Sequence, residues 1–122
     1  MKQILLYNLN NEKGKQIRKV CSPLRIVCKD VMPNQYMEQI GALAGLPGFG
    51  MKQTPVAAPG FNEEMMIFCH FSNDDIYAFL SHYKAAGIAP IALKAALTPH
   101  NMQWNSLKIH KELSEEHRQM NK

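Results

Sequence analysis

Two lysines stand in matching contexts and open the search for chemistry. Lys29 follows Ile26-Val27-Cys28 and precedes Met32-Pro33-Asn34, while Lys94 follows Ile91-Ala92-Leu93 and precedes Thr98-Pro99-His100-Asn101. Each ends an apolar run and precedes a Pro-started helix. A helix N-terminus carries unpaired N–H groups and a partial positive charge, so it favours an anion. Lysine adds a full charge, and Asn34, Thr98, His100 and Asn101 add donors. A carboxylate or phosphate is the ligand class these residues suit. The competing reading makes both lysines solvated charges that guard edge strands against pairing.

Other candidates are thinner. Cys69-His70 ends an apolar run and suggests a reactive thiol or a metal ligand, but no second ligand pair has a recognised spacing. Cys28 would lie beside Cys69 if the second and third strands pair. The three cysteines are odd in number, which suits reduced thiols in a cytoplasmic protein. His110 and His117 are separated by two helical turns, roughly 10.5 Å, too far for one metal ion. Asp74-Asp75 and Glu115-Glu116 are explained by capping and by an exposed helix face. Gly48-Phe49-Gly50 lacks the Lys-Ser/Thr of a phosphate loop. No cofactor and no metal is expected, and no nucleophile has a base placed for it by any motif.

Charge divides unevenly along the chain. Residues 1–60 hold eight Lys/Arg against three Asp/Glu, a net +5, whereas residues 61–122 hold six against seven, a net −1. Lys13, Lys15, Arg18, Lys19 and Arg25 concentrate the excess around one helix. Lys15, Arg18 and Lys19 are the candidate contacts for nucleic acid or an acidic partner. There is no interleaved aromatic platform, so a solvated helix face is the stronger reading. Phe49, on a Gly/Pro loop, is either a partner anchor or a plug on the core.

The elements that must position these residues run twice through the same order. Ile4–Leu9 is an apolar run and reads as a strand covered on both faces. Asn10 or Asn11 caps a helix with Ile17, Val20 and Cys21 inward, which Gly14 weakens by up to about 1 kcal/mol. Arg25–Val31 is a second strand, and Pro33 starts a helix with Tyr36, Ile40 and Leu43 or Ala44 inward. Residues 45–62 are rich in Gly and Pro, with Leu46, Phe49, Met51, Val56 and Phe61 as apolar feet. Met65–Phe71 is the third strand. Ser72 and Asp75 cap a helix striped by Ile76, Phe79, Leu80 and Tyr83, and Gly87 ends it. Pro90–Leu97 is the fourth strand. Thr98-Pro99 opens a last helix that buries Trp104, Leu107 and Leu113.

This order predicts one α+β domain over residues 1–122, a pseudo-repeat of 1–45 and 65–118 joined by 45–62. The first and third strands are the most apolar and should be central, with the charged second and fourth at the edges. A duplicated βαβα unit of this kind suggests a ferredoxin-like sandwich with extra helices. An α/β doubly wound parallel sheet is the alternative. No segment approaches the roughly 20 apolar residues of a membrane span.

The segment Phe68-Cys-His-Phe-Ser-Asn-Asp-Asp-Ile76 resembles a bacterial family known only as domain of unknown function number three-seven-eight-three. So do Phe79-Leu80, Gly87-Ile-Ala-Pro90, Leu93-Lys-Ala-Ala-Leu-Thr98, Trp104 and Glu112-Leu113 with Glu116-His117. Ile4–Leu9 and Gly41–Gly48 resemble the forepart of the same proteins. The resemblance implies a short cytoplasmic bacterial protein and carries no activity, cofactor or catalytic residue.

The leading functional expectation is therefore a non-enzymatic small-ligand-binding or regulatory unit that self-associates. The alternatives are nucleic-acid or acidic-partner binding through the basic half, and a thiol- or His-dependent enzyme at Cys69-His70.

Overall fold

The computed structural model describes residues 1–52 and 60–120. The apolar foot expected at Val56 lies outside the described residues. The chain runs β1 (Gln3–Tyr7), α1 (Glu12–Cys21), β2 (Val27–Val31), a 3-10 turn (Pro33–Gln35) and α2 (Ile40–Leu43). It continues through β3 (Met65–Cys69), α3 (Asn73–Ala85), β4 (Leu93–Ala96) and α4 (Ser106–Met120). The four strands form one mixed sheet in the order β2-β1-β3-β4. Both outer pairs are parallel and the central pair β1/β3 is antiparallel.

The α+β class and the placing of the first and third strands at the centre match the sequence reading. The ferredoxin-like arrangement is not what forms. That pattern splits each βαβ unit with a strand of the other, whereas here β1 bonds directly to β2 and β3 to β4. The antiparallel centre also rules out the doubly wound parallel sheet.

Two cores lie on the two sides of the sheet. Ile4, Leu6, Met66 and Phe68 face α1 and α3, where Ile17, Phe79 and Tyr83 meet them. Leu5, Tyr7, Met65, Ile67 and Cys69 face Tyr36, Ile40, Leu43 and Ile109 on the other side. Both faces of β1 and β3 are covered, which is why these strands show no polar alternation. Each large side chain so buried is worth about 1.5–3 kcal/mol.

Local chemistry sets the helix starts. Asn11 caps α1 by accepting from the Gly14 amide at 3.0 Å. Ser72 accepts from the Asp75 amide at 3.1 Å while the Asp75 carboxylate accepts from the Ser72 amide at 2.9 Å, the reciprocal box expected for α3. Gly87 takes φ +74° after α3, as a C-terminal glycine should. Gly14 is more than a weak helix residue. A Cβ there would sit 1.7 Å from the Leu9 carbonyl oxygen, so only glycine lets α1 lie this close to the end of β1.

Two expected helices are shorter than their periodicity suggests. Tyr36, Ile40, Leu43 and Ala44 are buried as expected, but residues 33–44 are not one helix. Ile40 and Gly41 give their amides to the carbonyls of Trp104 and Met102, both at 2.8 Å, and Gln39 bridges Asn105. This pairing opens the chain between the 3-10 turn and α2. Likewise α4 begins at Ser106, with Asn105 accepting from the Lys108 amide at 2.9 Å. The Thr98-Pro99 start instead forms a closed turn, in which the Thr98 carbonyl accepts from the Asn101 and Met102 amides and the Asn101 side chain bonds back to the Thr98 amide and the Ala96 carbonyl.

Candidate functional site

Ladder register decides where the two lysines go. Lys29 pairs with Leu5 and so lies on the α2/α4 side. Lys94 pairs with Met66 and lies on the α1/α3 side. They stand on opposite edges and opposite faces of the sheet. A half-turn about the central Leu5–Ile67 pair carries Tyr7 onto Cys69, and by the same register Cys28 onto Lys94 and Lys29 onto Ala95. Matching Lys29 to Lys94 in sequence is therefore one residue out, and a one-residue slip turns every side chain to the other face.

Each lysine head already has a partner. Lys29 Nζ donates to the Leu43 carbonyl at 3.1 Å, closing the C-terminal end of α2. Lys94 Nζ donates to the Ile91 carbonyl. An ammonium has three donors, so neither is exhausted. The neighbouring donors are committed more fully. Thr98 N donates to Asn101 Oδ1 at 2.9 Å, Asn101 N to Thr98 Oγ1 at 3.2 Å, and Asn101 Nδ2 to the Ala96 carbonyl at 3.0 Å. His100 meets the Trp104 ring edge-on, and Lys108 Nζ lies 4.9 Å from that ring's centre. Asn34 is exposed on the 3-10 turn.

Lys94 nevertheless borders an apolar pocket of about 240 Å³. Met66, fully buried, contributes to its lining with Leu80, Ile88 and Ile91, while Lys84 and Lys94 supply its only charges. On the other side of β4 a broader cleft of about 810 Å³ runs along α4, lined by Glu63, Glu64, His117 and Arg118 among others. The outer edge of β4 is short. Leu97 donates inward to the Phe68 carbonyl, so Lys94 and Ala96 turn their backbone outward, and Asn101 already occupies the Ala96 carbonyl. A short, partly capped edge bearing a lysine discourages strand addition.

The thiols fall into two kinds. Cys69 is fully buried on the α2/α4 side, and burial pushes its pKa up to about 12 against the pull of nearby Lys29. His70 is exposed at φ +65°, just past the end of β3, while Cys69 is buried. Cys28 does not reach Cys69, because β1 lies between β2 and β3. It packs against the core that contains Cys21, at the end of α1.

In the basic stretch, Arg18 is fixed on Asp30 at 2.9 Å and Lys13 on Glu64 at 2.7 Å. Lys15 lies 3.7 Å from Glu12 in an exposed pair, and Lys19 is exposed. Phe49 is half-buried with its ring against Gly41, where a Cβ would come within 3.0 Å of it. That contact favours the plug over the anchor. Met51 and Phe61 pack down as expected.

Sequence reasoning missed a column of rings. Tyr7, Tyr36, Phe61 and His110 follow one another, with Tyr36–Phe61 centroids at 4.7 Å and Phe61–His110 at 3.8 Å. Tyr7 OH bonds Ser106 Oγ at 2.7 Å, and burial raises the Tyr7 pKa. Asn8 donates to the carbonyls of Phe61 and Glu63 at 2.8 and 2.9 Å, which pins the column's outer rings. His110 Nε2 lies 3.0 Å from Glu63 Oε1 and 3.5 Å from Ser114 Oγ. Both partners sit on the same nitrogen, so this is no acyl-transfer relay, which needs one partner on each. Among the described residues no three His, Cys, Asp or Glu side chains gather as a metal site. No described helix is long and apolar enough to cross a membrane.

No curated protein and no solved structure matches the chain. Residues 64–120, from the start of β3 to the end of α4, match the family model described as Domain of unknown function (DUF3783), the family the sequence resembles.

Proposed function

We propose that the chain is a non-enzymatic binding unit whose ligand is a small carboxylate with an apolar body, held beside Lys94. The observation that carries this reading is the pocket of about 240 Å³ between α3 and β4, apolar apart from Lys84, Lys94 and the Tyr83 hydroxyl, which is taken up by the Ala89 carbonyl. Such a lining favours a hydrocarbon body over a sugar or nucleotide, and two ammonium groups favour one anionic head. Two remaining N–H groups of Lys94 are enough to hold a carboxylate oxygen without breaking its bond to the Ile91 carbonyl. A highly charged phosphate is a poorer fit, because the other side-chain donor on the wall, the Tyr83 hydroxyl, is already given to the Ala89 carbonyl and does not replace its hydration.

The test is a thermal-shift series with straight-chain, branched and aromatic carboxylates, each against its neutral amide, with inorganic phosphate alongside. Ligand that binds only the folded chain raises its melting temperature. Carboxylates are expected to do so at millimolar concentration, amides and phosphate are not, and Lys94→Met removes the shift while keeping the apolar stem. Equal shifts by acids and amides, or acid shifts that survive Lys94→Met, refute the reading.

A further inference from the structure

We propose that Cys21 and Cys28 form a hydroperoxide-reactive dithiol, with Cys28 attacking first and Cys21 closing the disulfide.

Both cysteines serve the α1/α3 side. Cys21 ends α1, and its carbonyl accepts from Leu24 at 3.0 Å and Ile26 at 3.1 Å, which folds the chain back into β2. Cys28 pairs with Ile4, so its side chain turns toward the same core in which Cys21 is 1% exposed. The two positions therefore differ as an attacking and a resolving thiol must. Cys21 is covered, whereas Cys28 is half-buried and opens on a surface cleft of about 460 Å³ that Arg18 and Arg25 also line.

Position and charge favour the thiolate at Cys28. Cys28 opens on the cleft that Arg18 lines, while Cys21 is covered. The neighbouring Cys21 thiol and the Arg18 guanidinium lower the Cys28 pKa against burial and the Asp30 carboxylate. Interaction with Cys28, and burial, raise that of Cys21. Arg18 is held in place by its bond to Asp30 Oδ2. A thiolate beside a fixed guanidinium and open to solvent is the environment of reactive cysteines, whereas Cys69, buried on the other face, is the inert kind.

The step balances. The Cys28 thiolate attacks the outer oxygen of a hydroperoxide, the O–O bond breaks, and the departing alkoxide takes a proton from water to leave as alcohol. Cys28 is now a sulfenic acid. The Cys21 sulfur attacks the Cys28 sulfur, the S–O bond breaks, and the expelled hydroxide leaves as water with the Cys21 proton. Two thiols and one hydroperoxide give a disulfide, an alcohol and water, with two electrons passing from sulfur to oxygen.

Intact-mass spectrometry of the reduced chain treated with hydrogen peroxide or cumene hydroperoxide tests this. The expected product has lost the mass of two hydrogens, and digestion without reductant yields one peptide pair joined through Cys21 and Cys28. Cys28 is expected to react at least about tenfold faster than Cys69. Cys28→Ser abolishes the change. Cys21→Ala stops at a sulfenic acid on Cys28 that dimedone captures. If Cys21→Ala does not fold, the wild-type product decides alone. Oxygen gained only on methionine, a disulfide involving Cys69, or a sulfenic acid on Cys28 that never closes in the wild type each overturn the proposal.

Discussion

Replacing Gly14 by Ala pits two effects of opposite sign against each other, and geometry says which wins. In a helix interior alanine is favoured over glycine by about 1 kcal/mol. Here the new Cβ would lie 1.7 Å from the Leu9 carbonyl oxygen and 2.9 Å from its carbon. Both are backbone atoms, so no rotamer change relieves the overlap. To reach a contact of even 3.0 Å, α1 must lift from the end of β1 by about 1.3 Å, the difference from 1.7 Å. That movement unpacks Ile17 and Cys21, now 0% and 1% exposed. Overpacking of this kind costs about 1–3 kcal/mol, and partial exposure of Ile17 adds part of its burial energy of about 1.5–3 kcal/mol. After the propensity gain, a net loss of about 1–3 kcal/mol is expected. Urea unfolding followed by circular dichroism reads it as a lowered midpoint at unchanged slope. Gln16→Ala, exposed on the same helix, is the control and should change stability by no more than about 0.5 kcal/mol. A Gly14→Ala variant as stable as the wild type would refute the close approach of α1 to Leu9.

Two further outcomes follow from bonds already described. Tyr7→Phe leaves buried Ser106 Oγ without its partner and should cost about 1–3 kcal/mol, more than Tyr7→Phe costs in a Ser106→Ala background; equal costs in both backgrounds would show that the bond between them contributes nothing. The backbone and side chain of Ser72, and then Lys2, hold the Asp75 carboxyl below its ordinary range. A group whose folded pKa is depressed stabilises above its unfolded value, so this contribution is lost as pH falls through the folded pKa. Stability should therefore decline on acidification below about pH 4 less steeply in Asp75→Asn than in the wild type, and parallel pH profiles would contradict the assignment.

The parts of the fold written in the sequence are those that one local signal decides. The unbroken apolar runs at Ile4–Tyr7 and Met65–Cys69 identify the central strands because burial on both faces leaves no room for polar alternation. Ser72, Asp75 and Gly87 announce α3 because capping is a property of a few neighbouring residues. Residues 33–44 and 98–105 depart from their periodicity for the opposite reason. Their backbone groups bond to one another across the fold, through Ile40 to Trp104 and Gly41 to Met102, and no periodicity within either segment reports that. The order of the strands was equally hidden, since an unsplit βαβ unit and a split one have the same local pattern. Of the candidate site, the sequence marked Lys94 but missed Lys84 beside it, which comes from a different element. It marks Cys28 but offers Cys69 as its neighbour only if the second and third strands pair, a condition that strand order alone decides.

The register of the ladders also bears on what residues 64–120 are as a unit. They contain β3, α3, β4 and α4, and within them β3 has a paired strand on one side only. Its other side is closed by β1, residue against residue from Met65 with Tyr7 to Cys69 with Gln3. Cut away from β1, β3 would present a five-residue apolar edge, MMIFC, with every side chain now buried brought close to water. Such an edge is a template for pairing with another chain. Residues 3–7 answer that need within the same molecule, and the pairing brings α1 and β2 with it. The Lys94 pocket lies within the matched segment, whereas the Cys21 and Cys28 pair belongs to the half that closes its edge. The two proposed chemistries therefore occupy opposite edges of one sheet, and each can be removed by substitution without touching the other.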